Sequence, residues 1–262
     1  MIRVLSAIVL LSAVVAVVWF LPPAGTLVLA AIAAALAFVE YARLAAALDM
    51  HVPRVVAGAG VVASCVAVGT GTVPSEVILM SALVVVGAIA VGAGAPGPAV
   101  LRDTAASLLP LIYIGLPLGA LAATRAIGGR EAILLLVVTI VVSDSAQYYS
   151  GRTFGRRRLA PSISPGKTLE GAIGGVLFGT AAMTIGGLRV FPAASLAMLV
   201  MASATVVALG MVGDLFESLL KRSAGVKDSS GLIPGHGGIL DRIDSWLFAA
   251  PVYYVFTRYL QV

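Results

Sequence analysis

Charged residues are scarce in this sequence. Only 11% of its 262 residues are Asp, Glu, Lys or Arg, whereas a soluble domain carries about 25%. So few charges cannot cover the surface of a soluble domain, which excludes that class. Apolar residues make up 60% of the chain, and they occur in long blocks rather than alternating with polar ones. This block pattern excludes an outer-membrane barrel of strands.

Cysteine and histidine are almost absent as well. The chain has one cysteine, Cys65, and two histidines, His51 and His236. A single cysteine can form neither an intramolecular disulfide nor a cysteine metal cage. Two histidines are too few for a histidine-rich metal site. The sequence therefore excludes both kinds of metal centre and any internal disulfide.

Apolar runs follow one another along the chain, each close to the ~20 residues that span a bilayer as a helix. We predict about nine transmembrane helices, at 4–21, 24–48, 55–72, 77–95, 104–123, 131–149, 172–190, 193–213 and 245–261. The first run follows Arg3, as in a signal peptide, but no convincing cleavage site follows, so we interpret it as a helix. The predicted fold is an all-α, polytopic integral membrane protein. Within this single membrane domain, we assign 1–130 to N-terminal transmembrane helices and 131–262 to the catalytic region.

The positions of Lys and Arg indicate how the helices are oriented in the membrane. With nine crossings and a cytoplasmic N-terminus, thirteen of the seventeen basic residues fall on the cytoplasmic side. The two loops richest in charge, 150–171 and 214–244, both lie on that side. The run Arg156-Arg157-Arg158 either contributes to this asymmetry or belongs to the functional site. The prediction is a multi-pass inner (plasma) membrane protein whose polar loops face the cytoplasm.

The second of these loops combines carboxylates with cations. Four polar residues at its start are spaced i, i+3, i+4 and i+7, so that they share one helix face: Asp214, Glu217, Ser218 and Lys221. Asp241 and Asp244 repeat the i, i+3 spacing where the last helix begins. Carboxylates at a membrane boundary are costly unless they are paired or bind a cation. Because oxygen ligands without thiols suit hard cations, the pattern predicts Mg²⁺, with room for a second cation.

Basic residues surround these carboxylates, at Lys221, Arg222, Lys227 and Arg242. A Pro-Gly-His-Gly-Gly turn lies between the two helices, and its glycines allow close backbone approach to a ligand. His236 in this turn is either a hydrogen-bonding turn residue or a proton-transfer group. The combination predicts a site that binds a divalent metal and phosphate together.

The first polar loop adds further candidates. Asp144 lies near the inner end of an otherwise apolar helix, and a lone intramembrane Asp is a functional candidate. Gly166-Lys167-Thr168 imitates the end of a nucleotide-binding P-loop, but Pro161 stands where that pattern needs glycine, which excludes it. Lys167 near a helix N-terminus can still bind a phosphate through its charge and the free backbone N–H groups.

The stretch from Ser218 to Asp244 resembles the signature of phosphatidate cytidylyltransferases, also called CDP-diacylglycerol synthases. The matching residues are Ser218, Leu220, Lys221, Arg222, Lys227, Asp228, Ser230, Ile233, Pro234, His236, Gly237, Gly238, Ile239, Asp241, Arg242, Ile243 and Asp244. Upstream, SPGKTLEG resembles the usual Ser-Pro-Lys-Lys-Thr-x-Glu-Gly of the family, with Gly166 where lysine is common. The resemblance covers about 140–245, and the N-terminal helices match only in number and hydropathy.

This resemblance implies a Mg²⁺-dependent nucleotidyltransferase of phospholipid biosynthesis that converts CTP and phosphatidate into CDP-diacylglycerol and pyrophosphate. The metal candidates are Asp214 and Asp241 first, then Glu217, Asp244 and Asp144. The substrate-binding candidates are Lys167, Glu170, Ser218, Arg222, Lys227, Asp228 and Arg242. Lys221 would also bind phosphate, and His236 would orient or protonate phosphates. The implied catalytic residues are Asp214, Asp241, Lys221, His236 and Asp244. The implied partners are CTP, phosphatidate and membrane lipids, not nucleic acid, and a homodimer is not excluded.

Two other functions remain open at this stage. A transporter would also place polar groups among apolar helices, but we expect those groups at the membrane midplane in two matching halves. Here they gather at one face and in one half of the chain. Another CTP-using membrane enzyme, such as a polyprenol or phytol kinase, would share nucleotide and metal but transfer a different phosphoryl group.

Overall fold

The computed structural model describes residues 2–94, 96–233, 235 and 237–260, without the side chains of 2–8 and 10. Helices form most of this part of the chain. They are α1 (Ile2–Phe20), α2 (Pro23–Ala47), α3 (Arg54–Thr70), α4 (Ser75–Ala93), α5 (Pro98–Pro110), α6 (Leu116–Phe154), α7 (Leu169–Val190), α8 (Leu196–Ser223) and α9 (Leu240–Tyr259). A π-helical turn, Leu111–Gly115, joins α5 to α6. Two short strands, β1 (Arg158–Ala160) and β2 (Ser164–Thr168), precede α7.

The fold is that of an all-α membrane protein with several crossings, as predicted. Within the described residues, five helical stretches are long and apolar enough to span a bilayer: α2, α4, the continuous stretch from α5 through α6, α7 and α8. The apolar part of α1, Leu11–Phe20, and helix α3 are shorter, and α9 is not among the five. The predicted number of nine transmembrane helices is therefore not confirmed.

The stretch from α5 through α6 is much longer than one crossing requires. Its 57 residues would extend about 85 Å as a straight helix, whereas the hydrocarbon core is about 30 Å thick. Gly129 interrupts the helix with a φ of +73°, a left-handed conformation that glycine adopts without strain. The break lies between the apolar runs 104–123 and 131–149, where the sequence predicts a loop.

The described helices form two compact units. The first unit contains Met1–Ala123 and Leu220–Ile243, and the second contains Thr124–Leu219 and Asp244–Val262. In the first unit, α3 packs against α2, α4 and the π-helical turn. The assignment of 131–262 to a catalytic region is a statement about function and stays a prediction.

The second unit is built around close helix contacts and one short hairpin. A Cβ atom on Gly179 of α7 would lie 2.9 Å from side-chain atoms of both Ser143 in α6 and Val207 in α8, so the three helices meet at this glycine. Strands β1 and β2 pair antiparallel, and β2 leads directly into α7. Thr168 caps α7, because its Oγ1 accepts the backbone N–H of Gly171 at 3.1 Å. We did not predict this hairpin from the sequence.

Candidate active site

One ion pair between a lysine and an aspartate lies in the second unit. Lys167, in strand β2, forms an ion pair with Asp214 of α8. Both groups are partly buried, since 15% of the Lys167 side chain and 28% of the Asp214 side chain are exposed. Partial burial makes this attraction stronger than that of a fully solvated pair. The structure thus joins a predicted phosphate ligand to a predicted metal ligand.

Three other predicted site residues lie near Asp214. Ser218 Oγ is 3.5 Å from Asp214 Oδ1, which is the outer limit of a hydrogen bond. Glu217 is fully buried in α8. Helices α8 and α9 meet at Gly213, where a Cβ atom would lie only 2.5 Å from the carbonyl oxygen of Asp244. This contact places the start of α9, with Asp244, beside the turn of α8 that carries Asp214.

Glu170 supports the backbone before the hairpin. Its Oε2 accepts the backbone N–H groups of Arg156 at 3.0 Å and Arg157 at 3.2 Å. The side chains of these two arginines are exposed, and Arg158 donates to the carbonyl oxygen of Pro165 across the hairpin. The predicted role of Glu170 as a substrate contact stays a prediction.

A second ion pair between a lysine and an aspartate lies in the first unit. Lys221 Nζ, near the end of α8, is 2.5 Å from Oδ1 of Asp241, and only 12% and 4% of the two side chains are exposed. Asp241 Oδ2 accepts the backbone N–H of Ser229 at 2.9 Å, its hydroxyl at 2.7 Å, and the N–H of Gly238 at 2.7 Å. Burial alone raises the pKa of Asp241, but the hydrogen bonds from Lys221, Gly238 and Ser229 outweigh it and lower the pKa to about 2. Asp241 is therefore ionised at neutral pH.

Sequence reasoning missed one carboxyl group in the first unit, that of Glu40 in α2. Glu40 is 2% exposed. Its Oε1 accepts the hydroxyl of Ser230 at 2.6 Å and the N–H of Ile239 at 3.0 Å. Its Oε2 accepts the hydroxyl of Ser229 at 2.9 Å and the N–H of Leu240 at 2.8 Å. The signal was present in the sequence, because Glu40 is a lone carboxyl group in an apolar run, the same rule that singled out Asp144.

The glycines of the turn before α9 approach carboxyl groups of the protein. A Cβ atom on Gly237, whose φ is +78°, would lie 2.5 Å from Asp241 Oδ2. A Cβ atom on Gly238 would collide with Ser229 Oγ and both oxygens of Glu40. The glycines therefore allow a close backbone approach to the side chains of Asp241 and Glu40. The predicted approach to a ligand stays a prediction.

The remaining predicted site residues are peripheral or lie outside the described part of the chain. Five of them have exposed side chains: Asp144 on α6, Arg222, Lys227, Asp228 and Arg242. Arg222 donates to the carbonyl oxygen of Val226 at 3.2 Å. His236 lies outside the described residues. Their roles as phosphate, metal or proton-transfer groups stay predictions.

The second unit contains carboxylates of the kind that magnesium uses as ligands. Among the residues that the structure describes, no three His, Cys, Asp or Glu side chains form a metal-binding group. Mg²⁺ keeps several waters and commonly uses one or two carboxylates together with substrate phosphates. Asp214 and Asp244, on helices in contact at Gly213, match that donor set. Asp214 already pairs with Lys167, and Asp244 Oδ1 accepts the backbone N–H of Ser245 at 2.7 Å. Asp241 accepts four hydrogen bonds, which is more than either of them is shown to accept.

The family match extends over nearly the whole chain, and the matches to three individual relatives cover 47–62% of it. Residues 1–260 match the cytidylyltransferase family. YnbB, an uncharacterised protein of Escherichia coli, is 46% identical over 132 residues, which are 50% of this chain and 44% of YnbB. A phosphatidate cytidylyltransferase of Haemophilus influenzae is 46% identical over 134 residues, 47% of this chain and 45% of the relative. A phosphatidate cytidylyltransferase of Thermotoga maritima is 42% identical over 169 residues, 62% of each protein.

The fold and the two ion pairs define a helical membrane protein with charged, partly buried side chains. Because the family match runs from residue 1 to residue 260, the chain belongs to the cytidylyltransferase family. It spans between 44% and 62% of the length of the three relatives.

Proposed function

We propose that the chain is a phosphatidate cytidylyltransferase, which joins CTP and phosphatidate to give CDP-diacylglycerol and pyrophosphate. The observation that carries this proposal is the pairing of Lys167 with Asp214 and of Lys221 with Asp241. Lys167, Lys221 and Asp241 belong to the motifs that resemble this family, and Asp214 lies one helical turn before Ser218, where the longer motif begins. We place the enzyme in the bacterial inner membrane with its polar loops in the cytoplasm, where CTP is available.

Electrostatics dominates the proposed reaction, because both substrates are polyanions. An oxygen of the phosphatidate phosphate attacks the α-phosphorus of CTP, and the bond to the β-phosphate oxygen breaks to release pyrophosphate. A phosphate monoester is already a nucleophile at neutral pH, so no strong base is required. Fixed positive charges that offset the repulsion and the charge developing on pyrophosphate can therefore supply much of the rate.

The ammonium groups are held in place by their carboxylate partners. Asp241 fixes Lys221, and Asp214 fixes Lys167, so each cation is oriented before a phosphate binds. Preorganised charges act without the reorganisation that solvent would need. We assign Lys167 and Lys221 to phosphate binding, together with the exposed Arg222, Lys227 and Arg242.

We assign Mg²⁺ to Asp214 and Asp244. When bound there, the ion would supply positive charge to phosphate oxygens. Asp241, whose oxygens already accept four hydrogen bonds, is assigned to holding Lys221 rather than to the ion. Glu217 and Asp144 remain secondary candidates for a second cation.

Labelled CTP tests the reaction and separates it from the kinase alternative. Purified protein would be incubated with Mg²⁺ in detergent micelles that contain either phosphatidate or, in parallel, a polyprenol or phytol acceptor. CTP labelled at the α- or at the γ-phosphorus would be added to each. Cytidylyl transfer moves only the α-label into lipid and releases the γ-label as pyrophosphate, whereas a kinase moves only the γ-label into lipid. Transfer of γ-label, or no transfer of α-label by correctly folded protein, would overturn the proposal.

A further inference from the structure

Glu40 joins two distant parts of the loop between α8 and α9, residues 224–239, which we call the α8–α9 loop. Two of its hydrogen bonds come from Ser229 and Ser230, and the other two from Ile239 and from Leu240, the first residue of α9. The donors are therefore about ten residues apart along the chain but converge on one carboxyl group. A single side chain of α2 thus closes the loop.

The same donors connect Glu40 to the Lys221–Asp241 pair. Ser229 Oγ lies 2.9 Å from Glu40 Oε2 and 2.7 Å from Asp241 Oδ2, so it bridges the two carboxyl groups. Gly238, one residue before Ile239, donates its N–H to Asp241. Any displacement of the loop away from Glu40 would therefore move donors that hold Asp241.

The packing around Gly238 gives independent support. Its missing side chain leaves just enough space for the carboxyl group of Glu40 and the hydroxyl of Ser229. The carboxyl group is enclosed, with Glu40 2% exposed. In a protein interior, a carboxyl group without hydrogen-bond partners is costly, so the loop and Glu40 each require the other.

We propose that Glu40 is a positioning residue: its carboxyl group closes the α8–α9 loop and thereby holds Asp241 and its partner Lys221 in place. The catalytic part of this inference rests on the proposed cytidylyl transfer. The structural part, the closure of the loop, does not depend on which reaction the protein catalyses.

Glu40→Gln is the principal test. A glutamine keeps the size of the side chain. Whichever way the amide is oriented, its NH₂ group faces one serine hydroxyl and one backbone N–H, so the hydrogen bond from that N–H is lost and the hydroxyl must turn to accept. We expect hydrogen–deuterium exchange of the 226–240 segment to become faster in the purified full chain, while exchange in α3 stays unchanged. We expect kcat for α-labelled lipid to fall about 10- to 100-fold, the scale of a small misplacement of catalytic groups.

Tyr41→Phe is the matched control on the same helix. It removes the hydrogen bond from the Tyr41 hydroxyl to the carbonyl oxygen of Ala106 at 2.8 Å, a buried contact that does not involve the loop. We expect this variant to lower the thermal unfolding temperature as well, because a buried hydrogen bond is lost. It should leave loop exchange and kcat unchanged, which separates positioning from a general loss of stability.

Ser230→Ala keeps the test decisive if Glu40→Gln fails to fold. It removes the 2.6 Å hydrogen bond to Glu40 Oε1 and, within the loop, the acceptor of the Leu232 backbone N–H at 3.2 Å, while Glu40 itself is unchanged. We expect faster exchange in the loop and a smaller loss of kcat. Where both single variants fold, the double variant should lose less activity than the product of the two losses, because both act through one contact network.

The outcomes separate this inference from the proposed function. If the wild-type chain forms no α-labelled lipid, the function fails, and loop exchange alone still decides the role of Glu40. If the wild type is active but Glu40→Gln and Ser230→Ala leave loop exchange and kcat unchanged, only the role of Glu40 fails. A lower KM for CTP in Glu40→Gln would also overturn it, because Glu40 would then occupy donors that the substrate uses.

Discussion

The hydroxyl of Ser229 has one proton and two carboxyl neighbours. It can donate to Glu40 or to Asp241 at a given moment, but not to both. Asp241 retains Lys221 and two backbone N–H groups when the hydroxyl turns away. Glu40 likewise retains Ser230, Ile239 and Leu240. Individual residues of this region are thus held by overlapping sets of donors, and removing one donor leaves the others in place.

Asp214→Asn should lower turnover by about 100-fold or more, because it removes the anion that a hard cation requires while keeping the size of the side chain. We predict a similar loss for Asp241→Asn, through the release of Lys221. Turnover should be measured at saturating Mg²⁺, with Glu76→Gln on α4 as an exposed acidic control. Turnover close to that of the wild type in both aspartate variants would remove them from the site.

Lys221→Gln should reduce turnover about 10- to 1000-fold, the effect of losing one preorganised charge to a developing anion. A single change in the arginine run, such as Arg156→Gln, should lower turnover less than about threefold, because that exposed side chain is one of three adjacent cations and the other two remain. Both variants are compared at equal amounts of correctly inserted protein. Equal losses would instead place the arginine run in the site.

At the scale of helices, backbone contacts at glycines set how closely neighbouring segments approach. A Cβ atom on Gly115 would lie 2.6 Å from the carbonyl oxygen of Val61, and one on Gly119 would lie 2.6 Å from that of Cys65. The π-helical turn and α6 therefore touch the backbone of α3 at two successive points. Such contacts allow dispersion forces and helix packing to stabilise a membrane protein, where the hydrophobic effect between helices is weak.

Gly119→Ala should destabilise the protein by about 1–3 kcal/mol, because the added methyl group forces α3 and α6 apart. Gly87→Ala is the matched control, since Gly87 lies within α4 and no atom would be within 4 Å of the added Cβ. The control should be neutral or stabilising by up to about 1 kcal/mol. Thermal unfolding in detergent compares the two, and equal unfolding temperatures would show that the close approach is not required.

The sequence predicts the helices well because apolar run length depends on the bilayer rather than on particular contacts. It also places Asp214 on a helix and Lys167 just before one. It cannot predict the β1–β2 hairpin, whose short strands carry no clear alternation. It also cannot pair Glu40 with Ser229, 189 residues later in the chain, because such a contact depends on how distant helices pack. For the same reason, the sequence cannot predict the ion pairs Lys167–Asp214 and Lys221–Asp241.

At the scale of the whole molecule, the predicted topology assigns the two charged loops to one side of the membrane. Ser162→Cys and Gly231→Cys place thiols at exposed positions in these loops, and the only native cysteine, Cys65, is buried. We expect a membrane-impermeant thiol reagent to label neither position in intact cells and both after permeabilisation. Val73→Cys, in the exposed turn between α3 and α4, should be labelled from outside. Labelling of position 162 or 231 in intact cells would contradict the predicted orientation.

The hydrogen bonds of Glu40 also impose an order on the biosynthesis of the protein. Helix α2 leaves the ribosome 189 residues before Ser229, which at 5–20 residues per second is a delay of about 10–40 s. During that interval, α2 must remain in the membrane with the acidic side chain of Glu40, although the α8–α9 loop that donates hydrogen bonds to it has not yet been synthesised. Insertion of an aspartate at the centre of a helix costs about 2.5–3.5 kcal/mol, and the apolar residues of α2 must outweigh a penalty of that order. A nascent chain that stops before Ser229 therefore exposes an unsatisfied acidic group within α2, a feature by which membrane quality control could distinguish incomplete from finished chains.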